Sequence, residues 1–274
     1  DNLFLLPLDE QRRWFRYHQL FADVLRIHLQ AEQPDQLPIL HGRASVWFER
    51  NGLPQDAIHH ALAAQDFERV AALVELAWPE MDGRFQSHTW LAWANALPNE
   101  LVYARPVLGV AYAWALLNQG DIEAGEARLR DAESWVNPVA DHALPVETMV
   151  VADWEQFQNL PASIVTARCY VAQAHGDIPS SIKYGRLALD LLPADDYLRR
   201  GPAAALLGLA HWASGQLEEA YLALAKAKVE FQLVGSVSFA LSITYGLADI
   251  RIAQGRLGDA IAIYEESLQL ALAQ

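Results

Sequence analysis

Nine histidines and 34 carboxylates are the side chains of this 274-residue chain best equipped to move protons or hold metal. His59 and His60 are the most conspicuous pair. Adjacent residues on a helix point about 100° apart, so the two imidazoles cannot easily share one ion, and they are expected to serve as surface and packing groups. His18, between a Trp-Phe-Arg-Tyr stretch and an apolar helical pattern, is expected to act structurally at a strand-to-helix junction. Asp195-Asp196 follow Pro193-Ala194, which is helix-end and loop chemistry. Glu218-Glu219 and Glu265-Glu266 belong to helices whose charged faces meet water. No Gly-x-Ser-x-Gly elbow and no Cys/His couple in a recognisable context occurs. Cys169 is the single cysteine, so no internal disulfide forms and no Cys/His spacing matches a zinc site. The expectation is therefore no catalytic residue, no metal and no enzyme.

The elements that would position such residues are mostly helical. Apolar residues make up 53% of the chain; Ala and Leu abound while Val, Ile and Thr are sparse, which favours helix over strand. A net charge of −14 repels a polyphosphate backbone, and no Lys/Arg cluster relieves it locally, which argues against direct nucleic-acid binding. No apolar run reaches the roughly 18 residues of a membrane helix, since polar residues interrupt even the stretch from Pro202 to Ala213. The single cysteine fits a reducing, cytoplasmic setting. The chain opens at Asp1 without Met or a signal pattern, and its last residues keep a helical rhythm, so a fragment of a longer protein is expected.

Leu3 to Leu8 and Trp14 to Tyr17 read as two short strands joined by a turn. From His18 the apolar spacing becomes helical through Leu20, Phe21, Val24, Leu25, Ile27 and Leu29, and Pro34 ends that helix. Beyond Leu37 the period is helical throughout, and its punctuation repeats. Five positions after Gly52, Gly120, Gly176, Gly215 and Gly255 stand Ala57, Gly125, Ser181, Ala220 and Ala260, all small. Twelve positions after them stand Ala64, Ala132, Ala188, Ala227 and Ser267. The ninth position is mixed, with Ala61, Leu129, Gly185, Leu224 and Tyr264. Small residues at fixed spacing let two helices approach closely, and the glycine supplies the turn after the first helix of each pair.

This register resembles the tetratricopeptide repeat, whose pattern also accounts for Gly208 and Pro193; the repeats here are longer than that family's usual 34 residues. The implied fold is all-α, a tetratricopeptide-like α-α superhelix with a short N-terminal β-hairpin and helix. In such superhelices the first helix of each pair lines the concave surface. Projecting that geometry onto this chain selects Trp114 and Asn118 before Gly120, and Thr166, Tyr170 and Gln173 before Gly176. Before Gly215 it selects Trp212, with Leu209 beside it, and before Gly255 it selects Tyr245 and Asp249, with Ile252. Trp114, Tyr170, Trp212 and Tyr245 would form an aromatic ladder with amide, hydroxyl and carboxylate groups between its rungs. Such a surface could stack on a neutral polar ligand such as a sugar, or hold an extended peptide. The alternative is that some of these aromatics are inter-repeat core. A Lys/Arg clamp for a peptide carboxylate is not evident at these positions.

A second resemblance is carried by the opening. Asn2-Leu3-Phe4-Leu5-Leu6-Pro7-Leu8-Asp9-Glu10, followed by Trp14-Phe15-Arg16-Tyr17-His18-Gln19-Leu20-Phe21-Ala22-Asp23-Val24-Leu25-Arg26, is similar to a stretch of the MalT-like, ATP-dependent LuxR-type transcriptional regulators. Trp90-Leu91-Ala92-Trp93-Ala94-Asn95-Ala96-Leu97-Pro98 and Pro106-Val107-Leu108 resemble the start of that family's helical sensor arm. The resemblance implies the end of a winged-helix region over residues 1–36, a helical connecting segment over 37–100 and a tetratricopeptide-like array over 101–274. It implies the effector-sensing and signal-relay arm of a signal-dependent transcriptional regulator, binding a small-molecule inducer or a regulatory protein on its concave surface. The alternative is a general protein-protein interaction scaffold, with self-association possible. No G-x-x-x-x-G-K-[ST] phosphate loop occurs, so ATP, the family's cofactor, is expected only in an upstream module, and this segment is expected to need none.

Overall fold

The structure, a computed structural model, describes residues 4–11, 13, 15–136 and 149–272. Asn2, Leu3 and Trp14 of the opening motif lie outside the described residues, as does Gln274 at the end of the last helical pattern. The chain forms two compact units, Asp1–Leu73 and Val74–Gln274.

In the first unit, β1 (Leu5–Pro7) pairs antiparallel with β2 (Phe15–Tyr17), Leu5 opposite Tyr17 and Pro7 opposite Phe15. The expected hairpin is present. It leads straight into α1 (Gln19–Glu32), and His18 marks the junction: its backbone N–H donates to the Phe4 carbonyl at 2.8 Å. Phe21 of α1 stacks on Phe4 with ring centroids 4.5 Å apart. α1 is nevertheless amphipathic without being covered, for none of its residues is buried. Next come α2 (Gln36–Arg50) and α3 (Pro54–Ala63), a helical hairpin closed by Gly52. Ser45 lets these helices touch; it is fully buried, and its hydroxyl donates to the Ala57 carbonyl at 2.7 Å. Helix α4 (Phe67–Gly83) follows, with residues 67–73 in this unit and 74–83 in the second.

The second unit continues with α5 (Ser87–Ala94), α6 (Asn99–Tyr103), α7 (Pro106–Asn118), α8 (Ile122–Val136) and the short α9 (Trp154–Gln158). Three more helical pairs complete it: α10 (Leu160–Ala174) with α11 (Ile178–Leu191), α12 (Tyr197–Ala213) with α13 (Leu217–Leu233), and α14 (Val237–Ala253) with α15 (Leu257–Leu272). Apart from β1 and β2 the described elements are helical, and the fold is the tetratricopeptide-like α-α array the repeats imply.

The five anchor glycines all close helices in the left-handed conformation, with φ between 71° at Gly52 and 83° at Gly120. At Gly215 the hydrogen bonding shows why. Its N–H donates to the Trp212 carbonyl at 2.9 Å, and the next N–H, of Gln216, reaches back to His211 at 2.9 Å, which satisfies carbonyls a helix end would otherwise leave open. A Cβ in that conformation costs about 1–2 kcal/mol. Gly235 makes the same turn between α13 and α14. So do Gln65 and Phe85, at φ 56° and 58°, although neither is glycine.

The small residues five positions past each anchor are buried: Ala57, Gly125, Ser181, Ala220 and Ala260. A Cβ added at Gly125 would lie 2.8 Å from Leu117, and one at Gly208 only 2.7 Å from Leu224 Cγ, so these glycines are where backbones approach closest. Twelve positions past the anchors, Ala132, Ala188, Ala227 and Ser267 are buried as expected. Ala64 departs from the pattern. Helix α3 stops at Ala63, leaving Ala64 as its half-buried C-cap just before the left-handed Gln65. Between pairs, Leu117, Leu129, Ala167 and Val171 form one core cluster, and Ala220, Leu224, Leu247 and Ile250 form another. A fully buried leucine such as Leu117 contributes roughly 1.5–3 kcal/mol.

Two buried ion pairs lock the second unit. Glu75 is fully buried and faces Arg105 Nη1 at 3.4 Å, while its other oxygen accepts the Ala152 N–H at 3.3 Å. Burial outweighs the attraction of Arg105 and pushes the Glu75 carboxyl above the usual range. Arg200 meets Glu230 at 3.3 Å and also donates to the Leu189 and Leu192 carbonyls at 3.0 Å, capping the end of α11.

Candidate functional site

The residues projected onto the inner surface all lie on first helices of the pairs, but the structure employs them differently. Trp114 of α7 and Tyr170 of α10 are half-buried neighbours with ring centroids 6.1 Å apart; the Tyr170 hydroxyl donates to the Leu117 carbonyl at 3.4 Å. Both rings also pack on the core cluster around Leu117 and Val171. Trp212 of α12 is half-buried against the Leu224 and Leu247 cluster. Tyr245 of α14 is the most open aromatic of the four, 65% exposed. Two rungs therefore adjoin, a third packs on the core shared by α13 and α14, and the fourth is largely open to solvent.

The polar members divide in the same way. Thr166 is buried, and its hydroxyl donates to the Ala162 carbonyl one turn earlier, so it serves its own helix. Gln173 spans the gap between first helices: its amide donates to the Leu206 carbonyl of α12 at 2.7 Å. Asn118 is exposed at the end of α7 and donates to Asp82 at 3.0 Å. Burial pushes the Asp82 carboxyl up, opposed by that hydrogen bond. Asp249 is half-buried on α14, close to exposed Ile252. Asp82 carries no sequence signal that would have placed it beside Asn118; the contact joins two helices not consecutive in the chain.

Several histidines and carboxylates outside this surface are engaged by neighbouring side chains. His60 meets His41 of α2, with the two Nδ1 atoms 2.8 Å apart, and its ring stacks on Phe48 and lies edge-on to His59 at 5.8 Å. One imidazole donates and the other accepts, so the arrangement needs a neutral nitrogen; burial lowers the pKa of both rings, and their mutual repulsion adds to this at His60. Asp196 caps α12, accepting from the Arg199 N–H at 3.2 Å and its guanidinium at 2.8 Å. Glu218 accepts from Arg251 and Gln254, each at 3.2 Å. Arg168 forks onto Glu133 at 2.7 Å and reaches Glu126 at 2.9 Å, tying α10 to α8. Among the described residues, no group of three or more His, Cys, Asp and Glu could hold a metal ion, and no helix is long and apolar enough to cross a membrane.

Stacked helical hairpins with left-handed turns and small inter-helix contacts define a helical-repeat protein of the tetratricopeptide class. Residues 162–274 match the model of the MalT-like TPR region, and residues 1–37 match the MalT winged helix domain; these regions belong to those domain families. The HTH-type transcriptional regulator MalT of Serratia proteamaculans is 28% identical over 278 aligned residues, covering 100% of this chain and 29% of the regulator. The serine/threonine-protein kinase PknK of Mycobacterium tuberculosis strain CDC 1551 is 36% identical over 143 residues, 48% of this chain and 13% of the kinase. The chain thus spans less than a third of the relatives it matches. Among solved structures, a Podosopora anserina kinesin light chain with TPR-like repeats is 16% identical, covers 87% of this chain and 96% of its own, and has a TM-score of 0.42.

Proposed function

We propose that this chain is the effector-sensing and signal-relay arm of a transcriptional regulator, taking a small neutral polar inducer on the inner face of its repeats, and that it is not an enzyme. The single observation carrying this reading is the row of aromatic and polar side chains on successive first helices, from the Trp114–Tyr170 pair to open Tyr245 with Asp249 nearby. Aromatic faces stack on the C–H faces of a neutral ring, while Asn118, Gln173, Asp249 and the Tyr245 hydroxyl select its polar edges. Thr166 belongs to the same face and acts by holding α10 in shape. The similarity to MalT regulators supports the regulatory setting, for which we propose a cytoplasmic location. In domain terms we read residues 1–36 as the end of a winged-helix region, 37–100 as a connecting segment and 101–274 as the sensing array.

A regulatory protein as occupant, or a second copy of the chain, is the alternative, favoured by apolar Leu209 and Ile252, 40% and 46% exposed on α12 and α14. Isothermal titration of the chain against a panel of neutral mono- and oligosaccharides tests the first reading. Binding by at least one, weakened at least tenfold in Tyr245→Ala, is expected. No heat with any of them, together with saturable binding of a protein partner that Tyr245→Ala abolishes, would replace it with the second.

A further inference from the structure

The turn between α4 and α5 differs from its counterparts. Its hydrogen bonds are the ordinary ones: Phe85 N–H donates to the Asp82 carbonyl at 3.0 Å and Gln86 N–H to the Met81 carbonyl at 2.8 Å. Its residue is not. Six turns place glycine in the left-handed position and one places glutamine, whereas this one places phenylalanine at φ 58°. A bulky side chain there is a genuine outlier, so the turn accepts strain that glycine would remove.

The aromatic ring has a use. Phe85, 65% exposed, sits with its ring 4.9 Å from that of Phe239, in the first turn of α14 and far along the chain. Phe239 in turn stacks on buried Phe231 at 5.2 Å and an interplanar angle of 18°, which anchors it in the α12–α13–α14 core. The contact therefore joins the beginning of the second unit to its last hairpin. Both sides lead to the proposed inner surface. Asp82, in the Phe85 turn, accepts the hydrogen bond from Asn118. Tyr245 and Asp249 lie further along the helix that Phe239 begins.

We propose that Phe85 on Phe239 is a clasp holding the array closed around its inner face, so that occupancy of that face and the state of the clasp are coupled. The coupling rests on the sensor-arm reading; the clasp itself rests on the Phe85–Phe239 ring contact alone. A half-exposed aromatic pair is weak enough to open and strong enough to bias the closed state, which is what a relay element between two arrangements requires.

The test uses the full chain without ligand. Phe85→Gly places in the turn the residue its counterparts use, so the turn itself keeps its protection against hydrogen exchange while the clasp is lost. The expected result is amides at the start of α14 exchanging about threefold to tenfold faster, the range one aromatic pair supports, and a larger radius of gyration by small-angle scattering. Phe239→Ala should give the same expansion, and the double variant no more than either single one. Unchanged exchange at the start of α14 and an unchanged radius in Phe85→Gly would overturn the clasp. Should Phe239→Ala disturb the Phe231 core, Phe85→Gly alone decides. Loss of saccharide binding with an intact clasp, or the reverse, separates failure of this inference from failure of the sensor reading.

Discussion

Helices α1 and α7 are of similar length and both rich in apolar residues, yet the protein treats them in opposite ways. None of the 14 residues of α1 is buried, and Leu20, Val24 and Ile27 are 71%, 52% and 66% exposed. In α7, by contrast, all from Pro106 to Ala113 are buried, and Ala115 and Leu117 with them. The difference is one of neighbours. α7 is flanked by hairpin and inter-repeat contacts, with small residues such as Gly125 admitting the second helix to within van der Waals distance. In a repeat array each element is stabilised by those stacked on it, so amphipathicity yields stability only where a partner is present. The proposed inner surface is built on the stacked part.

Breaking the locked side should have the largest effect. Glu75→Ala removes a buried carboxylate from Arg105 and from the Ala152 N–H, and is expected to cost about 3–5 kcal/mol in chemical denaturation. Glu75→Gln should cost clearly less, because burial already raises that carboxyl toward its neutral form and the amide oxygen still accepts. Gly208→Ala drives a methyl into Leu224 and should destabilise by about 1–3 kcal/mol despite alanine's better helix propensity; thermal denaturation would report it as a lowered midpoint.

The pattern of small residues and glycines made the array legible in the sequence, because close helix approach and left-handed turns leave few residue types to choose from. Positions without such constraint were not legible. Gln65 and Phe85 take left-handed turns that a search for glycine passes over, and the early end of α3 moved Ala64 out of the helix contact. Spacing placed the projected residues on the first helices of their pairs, but it could not tell which serve the fold. Thr166 bonds to its own helix and Gln173 to the Leu206 carbonyl, since irregular repeat lengths decide how far each neighbour reaches. Asp82 beside Asn118 is a contact across non-consecutive helices, which no local pattern encodes.

Smaller effects are expected in the first unit. The His41–His60 pair has both pKa values lowered, so the unfolded chain takes up protons that the folded pair resists. The first unit should therefore lose stability as the pH falls through about 6.5, the ordinary histidine value. Asp56 beside His60 partly opposes the effect, while Arg26 and His59 reinforce it. Circular dichroism melts between pH 7.5 and 5.5 measure the slope, which His41→Gln should flatten. Smallest of all, Leu20→Ser on α1 should change stability by less than about 0.5 kcal/mol, as expected of an exposed side chain.

The claim that the inner-face residues stand on a framework ordered before anything binds is tested most directly by native-state hydrogen exchange of the ligand-free chain, resolved by segment. Amides of α7, α10, α12 and α14 should exchange slowly and with similar protection, and those of α1 should exchange orders of magnitude faster. Protection in α1 equal to that in α7, or rapid exchange throughout α10 to α14, would contradict it.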